Sequence, residues 1–445
     1  MEKENGNLPE TIVLAPMRAP LGSVVTMPGS KSIANRLLLM AGMAGGTSTL
    51  SGVPGGDDSR SALAALTSLG IGHEPLEEGV HRVHGCGHAI PRSGVVDIGS
   101  AGTVGRFLPG LLASAEKGAW RLVSSEQLAR RPIAPLVDRL RDWGADIAYE
   151  REGLSFPLAI NAGGLSGGPA AVSAATSTQF ASGLLLAGPY ARTGAVVDIV
   201  DLDPDDRYID TTVECMRRFG ADLDCSPPGE KRTVAIRPGG YRAADMTVEA
   251  DLNSALVFLA MPLLLGGTMT VANVPAGTRQ TGAPMLDVFR RLGATVAVGA
   301  PGASVSAEAG GMRGGFDIDM RSMAESALLL AVLAVFADKP VTMTNLSHIR
   351  NHETDRLKAV GEIMAQIGVR VDEVGDGIRI HPRAKESIRS AEIDSRGDHR
   401  IVTAFSLLGL AANGLTIRNA AAVSKTFPGF FRLLRSVGGV TKGVL

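Results

Sequence analysis

Six short segments set hydroxyl, glycine or carboxylate residues, with cations close by, at the start of long apolar runs. In the first half of the chain they are Pro28-Gly29-Ser30-Lys31-Ser32 with Arg36, Gly99-Ser100-Ala101-Gly102-Thr103 with Arg106, and Ser177-Thr178-Gln179. In the second half they are Asp251-Leu252-Asn253-Ser254, Glu325-Ser326 and Asp398-His399-Arg400. A helix N-terminus presents unpaired N–H groups and a partial positive charge, both of which suit an anion. Glycine lets the backbone approach closely, and Lys and Arg add full charge. Ordinary capping explains Ser, Thr and Asp at these positions, at about 1 kcal/mol each. It does not explain Lys31, Arg36, Arg106 and Arg400 beside apolar helices, where an unpartnered charge is costly. Those cations call for an anionic ligand, or for ion pairs with acids such as Asp57, Asp58 and Asp398. Pro28–Ser32 is not a P-loop, because Gly and Lys are not adjacent and the earlier glycine is missing.

Three more segments concentrate charge. Arg130-Arg131-Pro132-Ile133 precedes a helix, and Ser424-Lys425-Thr426-Phe427-Pro428 opens the last one. Ile349–Leu357 is expected to begin an amphipathic helix, with Glu353 and Arg356 three apart on one face. A surface ion pair there would be worth little. His84, Cys86 and His88 alternate, and His348 and His352 are four apart, but neither set supplies a convincing fourth ligand, so no metal site is assigned. No Ser-His-Asp or Cys-His constellation stands out, and no cysteine sits in a charged glycine-rich loop.

The elements that must hold these residues repeat. An amphipathic helix ending in glycine and followed by a short apolar strand recurs six times, with its glycine at Gly70, Gly144, Gly220, Gly293, Gly368 and Gly438, about 70–76 residues apart. Glycine fits because the residue after a helix is usually left-handed. In phase with it runs a second helix, apolar nearly all round, starting near Lys31, Thr103, Gln179, Ser254, Ser326 and Arg400. A helix apolar on every face must be buried on every face. Six units in two groups of three therefore predict two cores, each built on central helices and wrapped by amphipathic helices and sheets. The 445 residues carry 44 basic and 45 acidic side chains, a net charge of −1, which excludes nucleic-acid binding by a bulk positive field. Apolar residues at 45% exclude wholesale disorder. Three cysteines fit a reducing compartment, and neither a leader peptide nor an apolar run long enough to span a bilayer is present, so a soluble cytoplasmic protein is expected.

Taken in order, Pro28–Arg36, Gly99–Thr103 with Arg106, Arg131-Pro132-Ile133, Ser177-Thr178-Gln179, His352-Glu353-Thr354-Asp355-Arg356-Leu357, Asp398-His399-Arg400 and Lys425–Pro428 resemble the 5-enolpyruvylshikimate-3-phosphate synthase family, over about Leu14 to Pro428. The resemblance implies an α/β, two-domain enolpyruvyl-transferase fold of six βαβαββ repeats, three per domain, in an inside-out α/β barrel. The first domain would be discontinuous, 1–27 and 249–445, the second would be 28–248, and substrates would bind in the interdomain cleft. The implied reaction moves the enolpyruvyl group of phosphoenolpyruvate to the 5-hydroxyl of shikimate-3-phosphate and releases phosphate. It implies no cofactor and no metal, a monomer, no nucleic-acid or membrane partner, and competition by glyphosate.

By the same resemblance, Lys31, Gly102, Arg131, Gln179, Arg356, Arg400 and Lys425 would bind phosphoenolpyruvate. Lys31, Ser32, Arg36, Ser177, Thr178, Gln179, Glu325 and His352 would hold shikimate-3-phosphate. Glu353 would handle the carbon proton and Glu325 the hydroxyl proton, with Lys31 assisting. Four positions depart from the family pattern. Glu325 stands where many members have Asp, His352 where many have Lys, Ser100 where Asn is common, and Asp205 where a phosphate-binding Ser is usual. A carboxylate at 205 would repel a phosphate unless the loop register differs and Arg207 compensates; otherwise the acceptor is a different, unphosphorylated cyclic alcohol. Two rivals share the fold: the UDP-N-acetylglucosamine enolpyruvyl transferases, whose Cys before Arg-Pro is absent from Ser124–Arg130, and a non-catalytic binding member, which would have lost the cations and acids kept here.

Overall fold

The computed structural model describes residues 10–17, 21–203 and 206–443. Asp205, singled out above, lies outside the described residues. The chain forms two compact units, one from the chain up to Met27 together with Ala250 onward, the other Pro28–Glu249. The return between Glu249 and Ala250 lies beside the 248/249 boundary that the resemblance implies. Glu249 stays with the second unit because its carbonyl accepts from Ser30 N (2.7 Å), whereas Ala250 N donates to Asn273 O (3.2 Å) in the other.

Among the described residues each unit holds three four-stranded sheets, and all six share one plan. The first strand pairs parallel with the second, the second antiparallel with the fourth, and the fourth antiparallel with the third. Gly94–Asp97, Gly118–Val123, Leu158–Ala162 and Asp146–Tyr149 lie side by side in that order. With the helices Gly102–Ala113 and Ala134–Asp142 between them, this is a βαβαββ repeat. In each unit one sheet takes its first strand from a remote part of the chain. Met246–Thr247 pairs with Gly45–Ser51, and Leu21–Val25 with Gly267–Val271. Thr11–Ala15 is inserted between Leu415–Arg418 and Val440–Gly443 and completes the last sheet.

The six apolar helices are Lys31–Met43, Gly102–Ala113 and Thr178–Ala187 in one unit, and Leu252–Leu259, Ala327–Ala334 and His399–Ala411 in the other. Every residue of Gly102–Ala113 and of Ala327–Ala334 is buried, as their unbroken apolar surface requires. The companion helices bury one face only. Arg356–Gln366 buries Leu357, Ala359, Val360, Ile363 and Met364 and leaves Lys358 and Glu362 outward. All six glycines that follow these companion helices have positive φ, from +76° at Gly70 to +107° at Gly293.

Small residues set how closely the buried helices approach. A Cβ on Gly183 would lie 2.2 Å from the carbonyl oxygen of Arg106 on the facing helix. Gly183→Ala must therefore push the two helices apart and is expected to cost about 1–3 kcal/mol, the usual range for overpacking. Trp120 and Trp143 both belong to the Pro28–Glu249 unit, so urea unfolding followed by tryptophan fluorescence reads this loss directly.

Candidate active site

In the unit containing Ala250 onward, the segments that open the buried helices converge on Arg356. Its side chain is 1% exposed. Nε donates to Asp398 Oδ2 (2.8 Å) and Nη2 to Glu353 Oε2 (2.9 Å). Nη1 donates to Glu325 Oε2 (3.2 Å) and faces His352 Nδ1 at 2.9 Å. Lys425 Nζ closes on Glu353 Oε1 at 2.6 Å, and Arg400 pairs with Glu325. Glu325, His352, Glu353, Arg356, Arg400 and Lys425 are thus brought together. The expected helix start at Ile349 is not found. Ser347–Asn351 is a 3₁₀ turn, and the helix begins at Arg356 because Asp355 caps it, accepting from Lys358 N (3.1 Å). Glu353 therefore reaches Arg356 from the preceding loop, not from a shared helix face, and the pair is not a surface ion pair.

The charges set one another's ionisation. Burial alone would raise the Glu353 carboxyl, but Lys425 and Arg356, with His399, outweigh it and hold the group far below the usual carboxylate range. Glu325 behaves likewise, with desolvation overcome by Arg400, Arg356 and His352. Burial opposes the charge on Arg356, and Glu325, Asp398 and Glu353 more than restore it. Desolvation lowers His352, partly offset by Glu325. Both glutamates are therefore carboxylates in the unliganded protein.

In the Pro28–Glu249 unit the remaining candidates sit at the N-terminal ends of the three buried helices. Lys31 opens the first and pairs with the nearly buried Asp58 at 3.0 Å. Arg36, one turn on, donates to Ser32 Oγ at 2.7 Å. Gly102 opens the second, and a Cβ there would stand 3.0 Å from Arg106 Nη1 and 3.3 Å from Arg131 Nη1. Arg106 in turn donates to Gln179 Oε1 at 3.1 Å. Its pKa is pushed down to about 10, chiefly by burial and then by Arg131. Ser177 caps the third helix, accepting from Gln179 N (3.3 Å), and places Thr178 and Gln179 at its mouth. The first two helices carry no side-chain cap. Their N–H groups, with Arg131 and Arg106 beside Gly102, form a concentration of positive charge that an anion would relieve.

Sequence reasoning assigned no site role to Asp398, Asp58 or Arg106, although it named Arg106 as a cation needing a partner and the two acids as candidate partners. It missed Ser182 and Thr212, which bind Arg36. Their only signal is a hydroxyl inside a buried helix face. Among the described residues no group of three or more His, Cys, Asp or Glu is arranged to hold a metal, and no helix is long and apolar enough to cross a membrane. His88 instead stacks on Tyr190, ring centroids 3.7 Å apart.

The architecture is that of the enolpyruvyl transferases. It superposes on an EPSP synthase from Acinetobacter baumannii with a TM-score of 0.85 at 24% identity, covering 98% of this chain and all of that one. An enolpyruvyl transferase from Streptomyces tendae shares the fold at 0.76 and 18% identity, over 98% of this chain and 99% of that one. Residues 17–434 match the model of the EPSP synthase (3-phosphoshikimate 1-carboxyvinyltransferase) family. A protein of Halalkalibacterium halodurans named 3-phosphoshikimate 1-carboxyvinyltransferase 2 is 35% identical over 96% of this chain and 95% of its own length. One from Opitutus terrae, named 3-phosphoshikimate 1-carboxyvinyltransferase, is 33% identical over 97% and 98%. The chain belongs to the EPSP synthase family.

Proposed function

We propose that the chain transfers the enolpyruvyl group of phosphoenolpyruvate to the 5-hydroxyl of shikimate-3-phosphate, acting as a monomer in the cytoplasm. The observation that carries this reading is the Arg356 cluster, three cations interleaved with two depressed glutamates at the mouths of buried helices, in a chain of this family. Lys425, Arg356 and Arg400, with Lys31, Arg131, Gln179 and the backbone of Gly102, are assigned to phosphoenolpyruvate. Ser32, Arg36, Ser177, Thr178, Gln179, Glu325, His352 and Lys31 are assigned to the acceptor.

In the addition step the acceptor oxygen bonds to C2 of phosphoenolpyruvate, and a proton is added to the C3 methylene, giving a tetrahedral phosphate ketal. Elimination takes a proton back from C3 and breaks the C2–O bond to phosphate. The net proton lost by the hydroxyl leaves with inorganic phosphate. Glu353 is assigned the carbon proton and Glu325, with Lys31, the hydroxyl proton. The cations offset the charge of two polyanions, and no group need be ionised at the moment of reaction to do so.

The test is phosphate release from phosphoenolpyruvate with shikimate-3-phosphate, shikimate or UDP-N-acetylglucosamine as acceptor. Turnover confined to shikimate-3-phosphate is expected, with glyphosate competing against phosphoenolpyruvate. Release with shikimate or the nucleotide sugar alone would overturn the assignment.

A further inference from the structure

Arg36 lies inside the Lys31–Met43 helix with its side chain enclosed (1% exposed). Among the described residues no carboxylate stands within ion-pair distance of it; Asp206 favours its charge only through space, and its hydrogen bonds go to neutral groups. Nε donates to Thr212 Oγ1 (2.8 Å) and Nη2 to Ser182 Oγ (3.2 Å). Nη1 donates to Ser32 Oγ (2.7 Å) and Ser32 O (2.9 Å), and the guanidinium carbon lies 4.7 Å from the Phe107 ring centroid. Ser182 and Thr212 are fully buried and 2.9 Å apart.

Donor accounting fixes their arrangement. The Thr212 hydroxyl donates its hydrogen to Tyr208 O (2.8 Å), so it can only accept from Arg36 and from Ser182. Ser182 then donates to Thr212 and accepts from Arg36. Every hydroxyl in the brace is used once as donor, and the guanidinium is held on the side away from Ser32. Ser32 itself is only half-buried. With a lone pair taken by Arg36, its O–H is turned outward as a donor.

We propose that Thr212 and Ser182 are positioning residues for the acceptor: they hold Arg36, a cation with no carboxylate paired to it, behind the Ser32 hydroxyl, which meets an oxygen of the phosphorylated cyclic alcohol. Arg36 thereby serves the acceptor through Ser32. The inference rests on the proposed function above.

The experiment compares wild type, Thr212→Val, Thr212→Ser and Ser182→Ala in steady-state kinetics with both substrates varied, alongside calorimetric titration of shikimate-3-phosphate alone. Thr212→Val keeps the shape of the side chain but cannot accept from Arg36. It is expected to raise the acceptor KM and Kd about ten- to a hundredfold, the range for losing a hydrogen bond to a charged group, and to leave the KM for phosphoenolpyruvate unchanged. Thr212→Ser restores both values, and Ser182→Ala gives a smaller rise because its bond to Arg36 is the longer one. Melting temperatures establish that each variant is folded. Should Thr212→Val not fold, Ser182→Ala must show the same split between substrates. Wild-type acceptor affinity in a folded Thr212→Val, an equal rise for both substrates, or no rescue by Ser overturns the positioning role. A wild-type chain that does not turn over shikimate-3-phosphate overturns the functional reading, and the inference with it.

Discussion

Arg356→Met is expected to cost about 3–5 kcal/mol of stability, the range for removing one partner of a buried charge network, and to abolish turnover. The guanidinium donates to Asp398, Glu353 and Glu325 at once, and Asp398 is itself fully buried. Met fills the volume but leaves three carboxylates to Arg400, Lys425 and the neighbouring imidazoles of His352 and His399. Arg356→Lys recovers only part of the loss, because one ammonium cannot reproduce a planar fork that reaches three acids. The pH dependence has a definite sign. Carboxyls depressed in the folded state contribute stability that is present above their unfolded pKa, about 4.3 for Glu, and is lost as pH falls through the folded value. The gap between wild type and Arg356→Met is therefore full at neutral pH and narrows as pH drops below about 4, where protonated carboxyls no longer repel. Urea unfolding followed by circular dichroism across that range measures it. A gap that does not change with pH would mean that the lost stability is packing and not charge.

The repeat was legible because it is written twice in the chain, as apolar helices and as helix-ending glycines. Gly70, Gly144, Gly220, Gly293, Gly368 and Gly438 all take the left-handed conformation that their position demands. The starts of the buried helices fall within two residues of the expected ones, since polar residues end each apolar run. What the pattern could not carry is the exchange of strands at the chain crossings. Leu21–Val25 and Met246–Thr247 are short, and partner choice for such strands is decided by tertiary packing. The site divides in the same way. Lys31 and Arg400 were visible as cations with no evident reason to stand beside apolar helices, and the acids that answer them, Asp58 and Glu325, sit in the segments that open helices. The Glu353–Arg356 contact was anticipated from three-residue spacing, yet it forms for another reason, the cap at Asp355 that starts the helix late. Ser182 and Thr212 gave no signal of this kind, because a hydroxyl in a buried helix usually returns to its own backbone, as Thr212 also does.

Glu353→Gln is expected to lower kcat by about 10²–10⁴, the usual worth of a positioned acid–base group, with little change in the KM of either substrate. Gln keeps an oxygen for Lys425 and cannot carry the proton. The difficulty to be met is that Lys425 at 2.6 Å and Arg356 at 2.9 Å hold Glu353 ionised, and a carboxylate cannot protonate carbon. The ligand supplies the remedy. On the assignment proposed above, phosphoenolpyruvate bound to the same two cations would take over their hydrogen bonds and set its own negative charge beside the carboxylate, and both effects would raise the pKa of Glu353. The free protein and the complex should then differ in their pH profiles. kcat/KM starts from the free protein, where Glu353 is ionised throughout the working range, so the proton it needs is drawn from solvent and appears as a steady fall with rising pH without an inflection. kcat reports the complex, where the raised group appears as a fall in rate with rising pH, and Glu353→Gln flattens that limb and removes the steady slope from kcat/KM. If kcat in Glu353→Gln stays near the wild-type value, or keeps its alkaline fall, the carbon proton comes from another group, and Lys31 becomes the first to replace.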